Sequence, residues 1–222
     1  MINKILEIII EGNRAFSASK DKEYFEKIKQ SQNPKITLLT CSDSRVQTSI
    51  FGVDTINEVF VVRNIGNQII SAFGSIDFGI IHLKTPLLII LGHTHCGAIK
   101  AVFSNYEKEP FDIIRELDHL SIPIRHLKHD GNDFETNWLT ITELSVDYQV
   151  KLALKKYHLL VKNQELTIIG AINDFINIYK SGEGRLIITN LNGEKNPDKI
   201  LENPLLANYD KKLLKEIIKR SK

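Results

Sequence analysis

Apolar residues recur at helical spacing through the first ~30 positions and predict two helices, over residues 2–18 and 21–29. Asn33-Pro34 breaks that run, and residues 36–40 then read as a strand. Further strands are predicted at 58–62, 87–91, 166–169 and 186–189. The one at 87–91 is apolar at every position, as a strand buried on both faces should be. Between the strands, residues 75–83, 97–103 and most of 111–161 carry helical spacing, interrupted at Ile122-Pro123 and at 129–132. Near the end of the sequence Leu205, Leu206, Tyr209, Leu213, Leu214, Ile217 and Ile218 lie on one stripe and predict a helix over 205–219. Short apolar strands alternating with helices argue for an α/β fold around a mainly parallel sheet flanked by helices. No repeat or clear linker divides the chain. Residues 1–222 therefore read as one domain with a helical arm at about 1–31.

In sheets of this kind, binding residues collect beyond the carboxyl ends of the strands. Cys41 and Cys96, the two cysteines of the sequence, both follow a predicted strand closely. His93-x-x-Cys96 lets an imidazole and a thiolate face one metal from a strand-to-helix turn, and Cys41 supplies a third donor from a neighbouring strand. Two soft thiolates with an imidazole select zinc, and three protein ligands leave a fourth position for water, as in catalytic rather than structural zinc sites. His95 competes as a ligand, although side chains two apart across a tight turn seldom reach one metal with Cys96 as well. Asp43 and Arg45 follow Cys41 at alternate positions. They suit a local carboxylate–guanidinium bridge that fixes the loop. They equally suit an ionised Asp43 that orients a nucleophile and restricts access to the metal.

Composition narrows the range of partners. The 29 basic residues nearly balance the 27 acidic ones and are spread along the chain, so neither nucleic acid nor an anionic membrane is indicated. No apolar run approaches a membrane span. Glu7 and Glu11 break a secretory pattern at the first residues, and a cytoplasmic enzyme is the expectation.

Three blocks resemble the beta-class carbonic anhydrases: Cys41-Ser42-Asp43-Ser44-Arg45-Val46, Val61-Val62-Arg63-Asn64-Ile65-Gly66-Asn67, and Gly92-His93-Thr94-His95-Cys96-Gly97-Ala98. The spacing between them is also similar. The resemblance extends more loosely to Ile169-Gly170-Ala171 and to Ser181-Gly182-Glu183-Gly184-Arg185-Leu186, and runs from about residue 29 to 189.

The resemblance implies zinc held by Cys41, His93 and Cys96, with Asp43 and Arg45 as the catalytic dyad. It implies reversible hydration of carbon dioxide to bicarbonate and a proton, by a zinc-bound hydroxide that Asp43 orients. Gln32 matches a glutamine that hydrogen-bonds substrate, and Ile65 and Gly97 match residues around the substrate pocket. Phe60 and Phe78 match pocket aromatics that reach across from a partner subunit. The N-terminal helices are expected to embrace that partner in a homo-oligomer, a dimer or a dimer of dimers.

The chain departs from the family at Phe78, where tyrosine is common, at Ala171 and Ile172, where an aromatic pair is frequent, and at His95, where Asp or a small residue is usual. Leu38 stands where one subgroup has a tryptophan lining a non-catalytic bicarbonate site. Arg63 and Asn64 are expected to fix a turn. His82, His119, His126, His129 and His158 are expected at the surface or on helices. Two other functions share these motifs. A carbon disulfide or carbonyl sulfide hydrolase would show a long tunnel rather than an open cleft. A catalytically silent zinc protein would place a fourth protein ligand on the metal, with Asp43 the candidate.

Overall fold

The computed structural model describes residues 1–124 and 134–221, so the break expected at 129–132 and the histidines at 126 and 129 lie outside the described residues. The chain divides into two compact units, Met1–Asn33 and Pro34–Lys222.

The first unit is a pair of helices, α1 (Ile2–Ala18) and α2 (Lys22–Ile28). Ser19 and Lys20 separate them, and the Asp21 carboxylate starts α2 by accepting the Tyr24 N–H at 2.7 Å. No residue of α1 is buried; Ile2, Ile5, Leu6 and Ile9 form an exposed apolar stripe.

The second unit is built on a five-stranded sheet: β1 (Ile36–Cys41), β2 (Val59–Asn64), β3 (Leu87–His93), β4 (Thr167–Asp174) and β5 (Arg185–Leu191). The spatial order is β2-β1-β3-β4-β5, with every pair parallel except β4 with β5. The fold is thus the expected α/β arrangement with a mostly parallel sheet. From β1 the chain first moves outward to β2, then returns to lay β3 on the other side of β1. Such a reversal opens a crevice at the carboxyl ends of the two central strands.

Helices cover the sheet. They are α3 (Phe73–Asp77), which widens into a π-helical turn at Phe78–His82, α4 (Gly97–Phe103), α5 (Phe111–Ser121), α6 (Phe134–Lys162), α7 (Pro197–Leu201) and α8 (Lys211–Ile217). Val146, Val150, Ala153 and Tyr157 of α6 recur at helical spacing and pack on Leu39, Leu88, Ile90, Ile168 and Ile172 of the strands. Their approach is close. A Cβ on Gly170 would stand 2.9 Å from both Val146 Cγ1 and Asn190 Cβ, which explains a glycine inside a central strand.

Two expectations are corrected. The helix expected over 205–219 is broken. Asn203 caps a short 3₁₀ turn at Pro204–Leu206, and Asp210 then accepts the Lys212 N–H at 2.8 Å and begins α8. Local side-chain hydrogen bonds from Asn203 and Asp210 compete successfully with a continuous helix. Ile218 is extended and bridges Ile188. Of the proposed stripe, Leu214 and Ile218 are buried while Leu205, Tyr209 and Leu213 are exposed. Strand β4 also runs five residues beyond the expected end at Ile169, because its polar Asn173 and Asp174 are buried at the rim, where Asp174 accepts the Ile176 and Tyr179 N–H groups.

Candidate metal centre

Cys41 is the last residue of β1 and His93 the last of β3, and the sheet register sets these strands side by side. Cys96 immediately precedes α4 as its N-cap. The structure therefore gathers Cys41, His93 and Cys96, all buried, with their donor atoms within 4.8 Å of one another. Both cysteines are free of disulfides.

The donor set suits a soft divalent metal. His93 is fully buried, and its Nδ1 lies 3.0 Å from the Thr94 carbonyl, which fixes the ring with a proton on Nδ1. Its Nε2 is then left as a lone pair, buried and without a hydrogen-bond partner. An orphaned buried acceptor beside two thiols is costly unless something binds it. The two thiols lie close enough to perturb one another. The Cys96 side chain lowers the Cys41 pKa against the effect of burial, helped by the backbone N–H groups of Gly66 and Asp43. The same contact, with burial, drives Cys96 upward. Gly66 reaches this position at φ +75°, a conformation that side-chain-bearing residues rarely adopt. Zinc, through thiolate and imidazole donors, is the metal these residues fit.

Asp43 stands at the edge of the cluster, its Oδ2 3.8 Å from His93 Nε2. Arg45 holds it in a two-pronged grip: Nε donates to Oδ1 at 2.9 Å and Nη2 to Oδ2 at 2.7 Å. The Arg45 guanidinium, with its backbone N–H in support, keeps the Asp43 carboxyl far below the usual carboxylate range. Arg63 braces the same loop from β2, donating to the carbonyls of Cys41, Asp43 and Val46 and to Gln47 Oε1. Asn64 likewise bonds within its turn, to Gln68 O and Ser71 Oγ.

Ile65 packs against the apolar cluster that contains Cys41 and Cys96, and Gly97 is the first residue of α4 beside Cys96. Phe60 and Phe78 lie together, ring centroids 5.8 Å apart. They adjoin the segment of β1 near Thr37, about 13 Å along the strand from Cys41, and not this chain's own cluster. Gln32 belongs to the N-terminal unit, where it is exposed. His82, His119 and His158 are exposed.

The sequence reading missed three residues. Phe175 lays its ring 5.0 Å from the Arg45 guanidinium and 5.6 Å from the His93 ring. Thr94 ties this aromatic in place, its hydroxyl accepting the Phe175 N–H at 2.9 Å. Trp138 stacks on His95 at 4.7 Å. The position of Phe175 just past the carboxyl end of β4 was a usable signal, whereas Trp138 carried none.

The sequence matches the family model described as Carbonic anhydrase over residues 36–179. The carbonic anhydrase of Synechococcus elongatus is 27% identical over 192 residues, covering 81% of this chain and 70% of that protein. That of Emericella nidulans is 39% identical over 104 residues, 43% of this chain and 45% of that protein. Against several curated relatives the matched stretch is about half of their length or less, 45%, 39% and 56% in three of them. Among solved structures, the Coccomyxa beta-carbonic anhydrase in complex with acetazolamide superposes with a TM-score of 0.68 at 26% identity, covering 76% of this chain and 82% of that one. A tetrameric beta-carbonic anhydrase from Sordaria macrospora has the same fold, with a TM-score of 0.72 at 24% identity over 83% of this chain and 96% of that one. With the family match spanning well over half of the sequence and a thiol–imidazole cluster at the expected rim, the chain belongs to the carbonic anhydrase family, in its beta class.

Proposed function

We propose that the protein catalyses the reversible hydration of carbon dioxide to bicarbonate and a proton, with zinc held by Cys41, His93 and Cys96. Zinc in such a site supplies the Lewis acidity that makes water a competent nucleophile near neutral pH.

The observation that carries the reading is the grip of Arg45 on Asp43 beside the orphaned Nε2 of His93. An ionised Asp43 accepts a hydrogen bond from the attacking hydroxyl group and so aims its lone pair at the carbon of the substrate. Arg45 keeps Asp43 ionised and turned toward itself, which supports a role as orienter over one as fourth ligand. Ile65 and Gly97 supply an apolar wall against which carbon dioxide rests. Phe60 and Phe78 of a second copy complete the pocket, and the substrate hydrogen bond that the resemblance gives Gln32 belongs to the same proposal. The exposed apolar stripe on α1 supports a dimer or a dimer of dimers. A cytoplasmic setting, in which both thiols stay reduced, belongs to the same proposal. Among the described residues no helix is long and apolar enough to cross a membrane.

Stopped-flow hydration of carbon dioxide on zinc-loaded protein tests the proposal, with Cys96→Ala as control and carbon disulfide as a parallel substrate. Rapid hydration that vanishes in the control is expected. A fully zinc-loaded protein that hydrates no carbon dioxide at any pH would overturn the proposal, and turnover of carbon disulfide would replace it with the hydrolase.

A further inference from the structure

His95 is the residue of the Gly92–Ala98 block that differs from the family's usual Asp or small side chain, and it adopts φ +53°, a left-handed conformation that costs a non-glycine residue about 1 kcal/mol or more. His95 is exposed, so burial does not hold it there. Trp138 packs against its ring. The indole is 7% exposed and lies nearly parallel to the imidazole, at 21° and 4.7 Å between centroids. Trp138 itself sits on α6, the helix whose Val146 and Val150 are packed into the core of the sheet.

The main chain of His95 carries the consequence. Its carbonyl accepts a hydrogen bond from Arg45 Nη2 at 3.2 Å, and the same Nη2 donates to Asp43 Oδ2 at 2.7 Å. The Arg45 side chain is 53% exposed, so it needs fixed partners to remain in the site rather than swing into water. Phe175 closes one face of the guanidinium, and the His95 carbonyl supplies the fixed acceptor beyond Asp43 itself.

We propose that Trp138 is a positioning residue for the Asp43–Arg45 dyad, acting through the stacked ring and the backbone carbonyl of His95. The inference rests on the proposed hydration activity for its meaning, but its geometry can be tested apart from that activity. Trp138 clamps the left-handed turn, the turn aims a carbonyl at Arg45, and Arg45 then presents both prongs to Asp43. Neither Trp138 nor the His95 ring touches substrate in this scheme.

The test is a double-mutant cycle on the holoenzyme with a fluorescence arm. Trp138→Leu is expected to lower kcat/KM for hydration about three- to tenfold, the value of one aromatic pair. Trp138→Phe is expected to recover most of that loss, with zinc content unchanged in both. In an Arg45→Ala background Trp138→Leu should cost little further, because the group it positions is gone. Trp138 is the single tryptophan of the chain, so its emission reports on the stack alone. His95→Ala should brighten and shift that emission. Arg45→Ala, which leaves Trp138 untouched, should produce the same change in smaller measure, since coupling between two groups is reciprocal. Losses that add in the cycle, or an Arg45→Ala emission identical to that of the unaltered protein, would each overturn the inference. If the unaltered protein hydrates no carbon dioxide, the proposed activity fails, and the emission of Arg45→Ala alone then decides whether the stack and the guanidinium are coupled.

Discussion

Arg63 spans the edge of the sheet from β2 to hold the end of β1, donating to the Cys41 carbonyl from Nε at 3.2 Å and from Nη2 at 3.0 Å. The same Nη2 reaches the carbonyls of Asp43 at 2.8 Å and Val46 at 2.7 Å. One guanidinium thus gathers three carbonyls of the loop that carries both a thiol and the dyad. Among the described residues, only the Asp43 carbonyl of these three also accepts a loop N–H, from Val46 at 3.1 Å, so the group suits a donor with several N–H groups in a fixed fork.

Arg63→Ala is expected to destabilise the protein by about 2–3 kcal/mol and to weaken metal binding, because several part-buried carbonyls lose a charged donor. Arg63→Lys should recover little, since one ammonium cannot reproduce the fork. Urea denaturation and competition with a zinc chelator measure the two effects. Unchanged chelator competition in Arg63→Ala would show that the loop holds its thiol without this brace.

Metal content offers a direct check on the cluster. The unaltered protein should carry about one zinc per chain, and Cys96→Ala or His93→Ala should lose it. Removing zinc with a chelator should also lower the melting temperature, because the folded state loses its bound metal and the Nε2 of His93 returns to the interior without a partner. Elemental analysis and thermal scans of the apo and loaded forms supply the comparison. Zinc retained at full stoichiometry by Cys96→Ala would remove that thiol from the ligand set.

Asp43→Asn keeps the size of the side chain and removes its charge. Zinc content should be unaffected, while hydration falls about 10²- to 10³-fold, the usual cost of one preorganised hydrogen bond in an active site. An amide in place of the carboxylate offers one acceptor and two donors, so the pairing with Arg45 also becomes poorer. Stopped-flow rates at matched zinc loading measure the loss. A rate within a factor of about two of the unaltered protein would make the Asp43–Arg45 pair merely a loop fastener.

The acid limb of stability should depend on Asp77. Burial raises its pKa, but the hydrogen bonds from Lys156 Nζ and Tyr157 Oη, both at 2.7 Å, outweigh burial and hold it below its usual value. With the folded pKa depressed, the stabilisation is fully present above the unfolded value of about 3.9 and is lost as pH falls through the folded value. Asp77→Asn should therefore be less stable than the parent near neutrality, and the difference should shrink on acidification. Urea denaturation at about pH 7 and about pH 2 tests this; a constant difference would mean that Asp77 stabilises by packing alone.

Much of the α/β domain could be read in advance because local chemistry and tertiary packing agree there. The strand at 87–91 is apolar throughout and is central in the sheet; its actual end at His93 differs by two residues because buried, hydrogen-bonded polar side chains are invisible to a hydropathy pattern. Buried polar Asn173 and Asp174 likewise concealed the end of β4, and Gly170, with no side chain to read, its middle. The broken helix at 205–219 failed differently. Its apolar spacing was sound, but Asn203 and Asp210 each stop a helix and start another turn, and those caps bind more strongly than the periodic pattern persuades.

The sequence by itself determined the donors and their order: two thiols and an imidazole at strand ends, and a carboxylate two residues from its guanidinium. It determined as much because ligand chemistry and strand-end placement are local properties of short motifs. Only the tertiary structure decided which residues hold that chemistry in place. Strand order alone sets β3 beside β1 and so brings His93 to Cys41. Arg63 from β2 and Phe175 beyond β4 reach the dyad and its loop, and Trp138 from α6 reaches the neighbouring His95, from elements far apart in the chain. Arg63 lies in a recognisable block and Phe175 just past a strand end, but nothing local marks Trp138, because its place is a matter of which surfaces the packed sheet and helices bring within about 5 Å of one another.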